Sequence, residues 1–225
     1  MYFPVNTHKR ESGDDMGAEI LAFRATDAKA PTIENAKVPR RPPNSELRTR
    51  EYLTNTEIES LMSAARKTGR HGHRAATLIL LGYRHGFRVS ELIALRWEQI
   101  GLKQGLLHVI RAKNGTPATH PLRGPEIRAL RRLGREYSGT YVFSSERKGP
   151  LTATAVRKLV KRAGQVAKLG IDVHPHMLRH SCGYYLANKG ADTRAIQAYL
   201  GHRSISNTVR YTELAPGRFK DFWQD

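Results

Sequence analysis

The amino-acid sequence predicts a mainly helical α+β fold with one small antiparallel β-sheet. Apolar residues recur at helical spacing in several stretches, and most of these stretches carry their own start and stop signals. By contrast, residues 106–111 form a β-type run, and Asn114-Gly115 with residues 116–122 after it indicates a hairpin. The 225 residues, 39% of them hydrophobic, suffice for one domain with a real core and a tail.

The net charge of +18 indicates a polyanionic partner. Residues 1–50 hold 9 Lys/Arg against 7 Asp/Glu, whereas residues 51–225 hold 29 against 13, so the basic excess belongs to the folded body. DNA or RNA fits such a charge best, and its binding would weaken with salt because it depends on counterion release. A basic surface that is only solvated is the alternative.

The sequence also predicts the compartment. One cysteine, Cys182, excludes an internal disulfide framework and cannot form a zinc site alone. No run approaches the ~20 apolar residues of a membrane span, and the N-terminus lacks the apolar core of a secretory signal. We therefore expect a soluble protein of a reducing cytoplasm, with no membrane partner.

Residues 1–50 are predicted to be a flexible tail and linker. They mix Gly, Asp and Pro with isolated apolar residues, and residues 39–44 have the composition of an extended segment. The structured body starts near Tyr52, because Thr54 and Glu57 form a capping-box pattern in front of a helical apolar repeat.

A central helix and an exposed arginine come next. Residues 73–85 are apolar on several faces, which predicts a helix in the middle of the fold, and Gly86 ends it. Ser90 is the candidate N-cap of the following helix, and Glu91 is favourably placed against its dipole. Arg88 lies in the turn before that helix, where its side chain is free to project into a cleft.

The middle of the chain is predicted to hold further helices at residues 125–136 and 152–168, with a short strand at residues 141–143. Basic side chains on these two helices are interpreted as phosphate contacts and solvated surface. Lys113 stands beside the hairpin turn, a place where a lysine is ordinarily just solvated.

The stretch that begins at His174 carries the strongest functional signal. Pro175 suits the first position of a helix, and Gly190 offers its stop. At ~100° per residue, one face of this helix holds His176, Arg179, His180 and Gly183, and the opposite face holds Leu178, Cys182, Tyr185 and Leu186. Two imidazoles and a guanidinium thus converge where a glycine lets another backbone come close.

A second helix follows, with Asp192 as its N-cap and Gly201 as its stop. His202 comes directly after that stop, and a short turn then leads to Tyr211. A lone histidine or tyrosine is more often structural than catalytic. The conjunction of all these groups favours a catalytic site.

These motifs resemble the C-terminal signature of the tyrosine recombinases, also called the phage integrase family. Residues 174–183 (HPHMLRHSCG) and 199–203 (YLGHR) are similar, in this detail, to the short fimbrial phase-variation invertases of that family. The family's first arginine box, Gly-x-Arg-x-x-Glu-Leu, is matched by Gly86, Arg88, Glu91 and Leu92. The resemblance spans roughly residues 50–215.

The resemblance implies a tyrosine recombinase catalytic-domain fold over residues 51–225 and a site-specific recombinase activity. The catalytic residues that it implies are Arg88, Lys113, His176, Arg179, His202 and Tyr211. Tyr211 would attack the scissile phosphate to give a 3′-phosphotyrosyl link, Lys113 would protonate the departing 5′ oxygen, and His176 could act as a base. Glu91 and His180 are interpreted as supporting residues that orient the others.

No cofactor is expected. Guanidinium and imidazole groups would neutralise the phosphate in place of a metal, and rejoining would draw on the energy of the phosphotyrosyl link and not on ATP. The sequence has neither clustered carboxylates typical of a magnesium-dependent nuclease nor a Gly-rich phosphate loop.

Partners are implied as well: double-stranded DNA, a homotetramer on paired recombination sites, and an accessory DNA-bending protein of the host. Phe219, Phe222 and Trp223 form an apolar stripe in residues 216–225, a segment that family members commonly pass to a neighbouring protomer. The separate N-terminal core-binding domain of most members is not expected, because only a tail precedes the body. Two alternatives stay open: a catalytically idle DNA-binding regulator on the same fold, and a relaxase like the type IB topoisomerases.

Overall fold

Eight α-helices and a three-stranded sheet make up residues 50–112 and 115–213, the part of the chain that this computed structural model describes. In chain order the elements are α1 (Asn55–Lys67), α2 (Gly72–Arg84), α3 (Val89–Ala94), a 3-10 turn (Trp97–Gln99), β1 (Ile100–Gly101), β2 (Leu106–Val109), β3 (Ala118–Pro121), α4 (Gly124–Glu136), α5 (Ala153–Val166), α6 (Pro175–Asn188), α7 (Thr193–Leu200) and α8 (Ser206–Glu213). The predicted α+β class is confirmed. Three features predicted from the sequence lie outside the described residues: the N-terminal tail, Lys113 at the hairpin, and the C-terminal exchange segment at 216–225.

Helix α2 is the centre of the helical core, as its apolar pattern predicts. Leu78, Ile79 and Leu81 are fully buried, and the helix packs against α1, α4 and α6. Helix α1 begins at the predicted capping box, in which Thr54 N donates to Glu57 Oε2 (2.8 Å) and Glu57 N donates to Thr54 Oγ1 (3.3 Å). No helix in the described ranges is long and apolar enough to cross a membrane.

The sheet is a meander in the order β1-β2-β3, with both pairs antiparallel. Leu107 of β2 pairs with His120 of β3, and both side chains point into the core. This confirms the predicted hairpin. Strand β1 was not predicted, because two residues are too short to carry a period-2 pattern.

The predicted strand at 141–143 is wrong. Tyr141 makes one isolated bridge to Arg96, and Val142 N donates to Leu95 O (2.9 Å), but no ladder forms. The apolar run exists because Val142 and Phe143 are both fully buried in the core. Burial of consecutive residues in an irregular segment leaves the same sequence pattern as a short buried strand.

Ser90 is not the N-cap of α3, which corrects a second prediction. The cap is Arg88, and the carboxylate of Glu91 reaches back to accept a hydrogen bond from Arg88 N (2.9 Å). The glutamate supplies half of a capping box by itself, so the helix does not need a hydroxyl at its first position. As a result the helix starts two residues earlier than predicted and Arg88 is held at its tip.

Candidate active site

Arg179 lies at the centre of the candidate site, on the buried face of α6. Its guanidinium is 1% exposed and donates from Nη1 to Gly86 O (2.5 Å) and from Nη2 to Leu200 O (2.8 Å). Those carbonyls belong to the ends of α2 and α7, so one side chain ties three helices together. Burial, and then the positive charges of Arg88 and Arg111, lower the pKa of Arg179 to about 10. The group is still a cation at neutral pH.

Arg88 projects from the tip of α3 toward the same place, with its side chain 23% exposed. Its Nη1 donates to Glu91 Oε1 at 2.7 Å. The left-handed conformation of Gly86 (φ +59°) turns the chain sharply between α2 and this arginine. The turn that the sequence predicts therefore does deliver Arg88 to the cleft.

Glu91 is buried and accepts four hydrogen bonds. Besides the two from Arg88, Arg111 Nη1 donates to its Oε2 (3.0 Å) and Ala112 N to its Oε1 (3.0 Å). Burial would raise the pKa of this carboxyl, but the hydrogen bond from Arg88 N and the charge of Arg111 outweigh burial and lower it. Glu91 is thus an anion held in place by bonds to both Arg88 and Arg111.

His202 follows α7 directly. Gly201 at the end of that helix has φ +65°, and a Cβ there would lie 2.6 Å from Arg111 Cγ, so only glycine fits. The His202 Nδ1 bonds to Thr208 Oγ1 at 2.8 Å, which leaves Nε2 to face a ligand. Burial and the nearby Arg179 lower the pKa of His202 to about 4.

Tyr211 lies on α8 with its ring packed against α6. It is 1% exposed, and a Cβ added at Gly183 would lie 2.7 Å from the ring, so this glycine accommodates a side chain and not the backbone that its place on α6 suggested. The hydroxyl bonds to His180 Nδ1 at 2.9 Å. Burial is the main cause that raises the pKa of Tyr211 to about 12.

The two histidines of α6 take up different positions. His180 is buried beside Tyr211, whereas His176 is exposed, with its ring centroid 4.5 Å from that of His180. Partial burial and the charge of Arg179 lower the pKa of His176 to about 4, and solvent around the exposed ring will weaken that shift. In this structure the imidazole that touches the tyrosine is thus His180, and His176 faces the solvent side of the site.

The structure places Arg88, Glu91, Arg179 and His202 close enough for their charges to interact, with His180 and Tyr211 at the edge of this group. Lys113 is outside the described residues. Within the described ranges, no group of three or more His, Cys, Asp or Glu is arranged to hold a metal ion.

Sequence reasoning missed two features next to the site. Arg111 is fully buried beneath it, and a lone arginine at a strand end gives no sign of that. His85, His120 and Glu126 form a buried polar cluster, with His85 Nε2 2.8 Å from Glu126 Oε1 and His85 Nδ1 3.1 Å from His120 Nδ1. Three polar residues from separate elements have no common spacing in sequence, so no motif could reveal them.

Comparison with known proteins agrees with this geometry. The model of the phage integrase family matches residues 51–218. Type 1 fimbriae regulatory protein FimB of Escherichia coli (strain K12) is 44% identical over 180 residues, which cover 77% of this chain and 90% of FimB. Tyrosine recombinase XerD of Ralstonia nicotianae is 34% identical over 84% of this chain and 61% of XerD.

Solved structures share the fold. The crystal structure of XerA recombinase superposes with a TM-score of 0.65 at 25% identity, over 76% of this chain and 63% of that chain. The structure of XerH site-specific recombinase bound to difH substrate, a pre-cleavage complex, superposes with a TM-score of 0.65 at 24% identity. The match covers 77% of this chain and 53% of the XerH chain.

Proposed function

Since this chain belongs to the phage integrase family and is a site-specific recombinase of the tyrosine class, we propose that it cleaves and rejoins DNA through Tyr211. The observation that carries the proposal is the proximity of Arg88, Arg179 and His202, whose charges affect one another, beside the Tyr211 ring. These are the groups that phosphoryl transfer without a metal requires: cations for the phosphate and donors for its oxygens.

The two arginines are proposed to bind the non-bridging oxygens of the scissile phosphate. A guanidinium offers five N–H donors in a planar fork, which matches phosphate geometry. Arg179 uses two of its donors on carbonyls and Arg88 one on Glu91, so both retain N–H groups for a ligand. His202 Nε2 adds a further donor when the Thr208 hydroxyl donates to Nδ1 and thereby holds the proton on Nε2.

Tyr211 is the proposed nucleophile. Its oxygen forms a bond to phosphorus, the bond from phosphorus to the 5′ oxygen breaks, and the 5′-hydroxyl leaves with a proton. Lys113 is the proposed donor of that proton, and His176 or His180 the acceptor of the phenol's own proton. His180 has the support of its 2.9 Å bond to the hydroxyl. Reversal by the 5′-hydroxyl of another strand completes the exchange without ATP.

The nucleophile must move before it can react. Its hydroxyl is buried against His180, where a phosphate of a DNA duplex cannot reach it. A shift of α8 away from Gly183 would expose the oxygen and remove the desolvation that raises its pKa. We propose that this shift accompanies assembly on DNA.

Double-stranded DNA is the proposed partner, in keeping with the charge of +18 and with a relative solved on its difH substrate. We further propose a homotetramer on paired sites, residues 51–225 as the catalytic domain, and a place of action at the bacterial nucleoid. Whether residues 1–50 or an accessory protein completes the clamp around DNA would be answered by footprinting with and without the tail.

The first prediction tests the nucleophile. Purified protein would be incubated with fragmented host DNA in EDTA, denatured, and the covalent adducts sequenced. We expect adducts to form in EDTA, because the proposed chemistry needs no metal. They should lie at a small set of sites, because the recombinase is site-specific. Tyr211→Phe should form none while it keeps its affinity for those sites, since only the attacking oxygen is removed. Tyr184→Phe, which removes the hydroxyl of the ring 5.1 Å from Tyr211, is the matched control and should react normally.

Other outcomes identify the alternatives. Adducts that persist in Tyr211→Phe would move the nucleophile elsewhere, with Tyr199 the next tyrosine to replace. Site-specific binding without adducts in the native protein would mean an idle regulator. Adducts without joining between two separate sites, together with a change in linking number alone, would mean a relaxase. Adducts that require added magnesium would refute the metal-free mechanism.

A further inference from the structure

Arg111 is a second buried guanidinium next to the site, besides Arg179. Its side chain is 0% exposed. It donates from Nη1 to Glu91 Oε2 (3.0 Å) and Gly86 O (3.4 Å), and from Nη2 to His85 O (3.0 Å) and Tyr199 O (2.5 Å). Its guanidinium also lies 5.6 Å from the ring centre of Phe87. Every one of these partners belongs to a segment that carries a site residue.

These contacts lead to both phosphate-binding arginines. Through Glu91, Arg111 supports the carboxylate that holds Arg88 Nη1 at 2.7 Å. Through Gly86 O, it shares an acceptor with Arg179. Because one carbonyl and one carboxylate serve three guanidiniums, moving Arg111 would shift the groups on which the other two depend.

A third contact leads to His202. Tyr199 O lies in the last turn of α7, two residues before Gly201 and three before the histidine. The stem of Arg111 also passes close to two glycines: a Cβ would lie 2.6 Å from its Cγ at Gly201 and 2.8 Å from its Cβ at Gly115. Glycine at these two positions therefore leaves room for the Arg111 side chain.

A buried cation is costly, so its presence calls for a reason. Several kcal/mol of desolvation oppose a buried guanidinium, and an apolar side chain of similar volume often gives equal or greater stability. Burial lowers the pKa of Arg111, the charge of Glu91 opposes that effect, and Arg88 adds to it. What an apolar residue could not supply is a fork that joins three segments at fixed distances.

We propose that Arg111 is a positioning residue that sets the geometry of Arg88 and Arg179 toward the scissile phosphate. The proposal rests on the phosphate-binding roles proposed above. Arg111 itself does not touch the phosphate: it acts through Glu91 and through the carbonyl of Gly86. A displacement of about 1 Å in a reacting group can slow a reaction about 100-fold.

The test compares two substrates under single-turnover conditions, with adduct formation as the readout. One carries the ordinary scissile phosphate, and the other carries a methylphosphonate there, whose methyl group removes the negative charge that the arginines would neutralise. Arg111→Met keeps most of the buried volume and loses the fork. We expect it to be slowed about 100-fold on the phosphate but to react at nearly the native rate on the methylphosphonate.

Arg74→Met is the matched control. Arg74 is also buried, at 8% exposure, and lies near the start of α2, at the end remote from the site. It donates to Ser144 O (2.5 Å). Arg74→Met should lower the rates on the phosphate and on the methylphosphonate by the same factor, or should change neither rate. Arg111→Lys, which keeps the charge and loses the fork, should behave like Arg111→Met.

A double-mutant cycle with Arg88→Ala supplies a second readout on ordinary DNA. If Arg111 acts through both arginines, its replacement has a smaller effect once Arg88 is gone, because only its influence on Arg179 remains. Equal slowing on both substrates, or effects of Arg88→Ala and Arg111→Met that simply multiply, would overturn the positioning role and leave Arg111 as core packing. A native protein that forms no adduct at all would refute the proposed function instead.

Discussion

At the scale of single residues, two imidazoles in and beside the site are already desolvated before any DNA arrives. His120 and His180 are buried at 1% and 7% exposure, and burial is the first cause that lowers the pKa of each to about 3. For His120 the neighbouring His85 and Arg111 add to the shift. The imidazoles are therefore neutral at physiological pH, and the positive field of the site comes from its arginines.

This predicts how stability depends on pH. In the unfolded chain a histidine has a pKa of ~6.5, so below that value the unfolded state binds protons that the folded state refuses. The stabilisation is complete above about pH 6.5 and is lost as the pH falls toward about 3. His120 and His180 should each contribute a slope of up to about 1.4 kcal/mol per pH unit to the free energy of unfolding.

His120→Gln should reduce that slope, measured by urea denaturation between pH 5 and 6.3, a window that lies above the titration of the carboxyl groups. His108→Gln is the control, because His108 lies on the paired strand of the same hairpin but is exposed. If both variants keep the native slope, His120 is protonated in the folded protein and the desolvation argument fails.

Residues whose function depends on local spacing could be predicted from the sequence. Arg179 and His180 follow from the helix period, and Arg88 from the turn that Gly86 makes. Arg111 could not be predicted, because its burial depends on Tyr199 and Glu91, which are 88 and 20 residues away. A contact across that distance leaves no local period.

At the scale of elements, the approach of α8 to α6 decides where Tyr211, the proposed nucleophile, rests. Gly183 and Tyr211 meet where any larger residue would collide, since a Cβ at position 183 would lie 2.7 to 2.8 Å from three ring carbons. His180 and Tyr184, on the adjacent turns of α6, complete the pocket of the ring. The glycine therefore permits the buried state of the tyrosine.

Gly183→Ala should push the Tyr211 ring out of this pocket. Overpacking a buried contact costs about 1–3 kcal/mol, so we expect a lower free energy of unfolding and a tyrosine that titrates closer to pH 10 in an ultraviolet difference titration. Gly134→Ala is the control, because a Cβ there meets Trp97 at an ordinary 3.4 Å on a helical position. It should stabilise the protein by up to about 1 kcal/mol.

An unchanged titration in Gly183→Ala would mean that α8 shifts as a unit and carries the ring with it. The double variant Gly183→Ala/Tyr211→Ala tests whether the ring is the cause of the destabilisation in either case. Once the ring is absent, the alanine should no longer destabilise the protein.

Helices whose first and last residues are marked by caps, prolines or glycines were predicted correctly. The segment whose conformation depends on packing against other elements was not. Helix α6 runs from Pro175 to Asn188 with its proline at the first turn, and α7 from the Asp192 cap to left-handed Gly201, both as predicted. The strand predicted at 141–143 failed because its apolar residues reflect burial between helices and not a ladder.

At the scale of the whole molecule, the start of the body and α8, the helix that carries Tyr211, are linked. Glu51 forms an ion pair with Arg210 at 2.8 Å, and the Tyr52 ring lies 4.3 Å from that of Tyr184, which in turn meets Tyr211 edge-on. A change at Glu51 or Tyr52 would therefore be felt at α8 through these contacts. Sequence patterns could not show this, because residues 51 and 210 are at opposite ends of the body.

The last prediction concerns assembly. Phe219, Phe222 and Trp223 are spaced to form one apolar stripe if their segment is helical, and the segment lies outside the described residues. A cleft of about 480 Å³, lined in part by Met62, Tyr185 and Leu186, offers apolar surface that such a stripe on a second protomer could fill. We propose that docking in trans couples tetramer formation to release of Tyr211 from its pocket.

Deleting residues 217–225 should then leave binding to a single site unchanged and abolish both pairing of sites and recombination, because the protomers lose the contact that links them. Binding would be measured by gel shift on one site, pairing by the slower-migrating complex of two, and recombination by strand joining, all on sites recovered from the adduct map. The matched control replaces Phe219, Phe222 and Trp223 with alanine at full length, and it should fail in the same two assays if the apolar stripe is what docks. A truncated protein that recombines at the native rate would show that the stripe packs only within its own chain, and release of Tyr211 would then have to come from DNA binding alone.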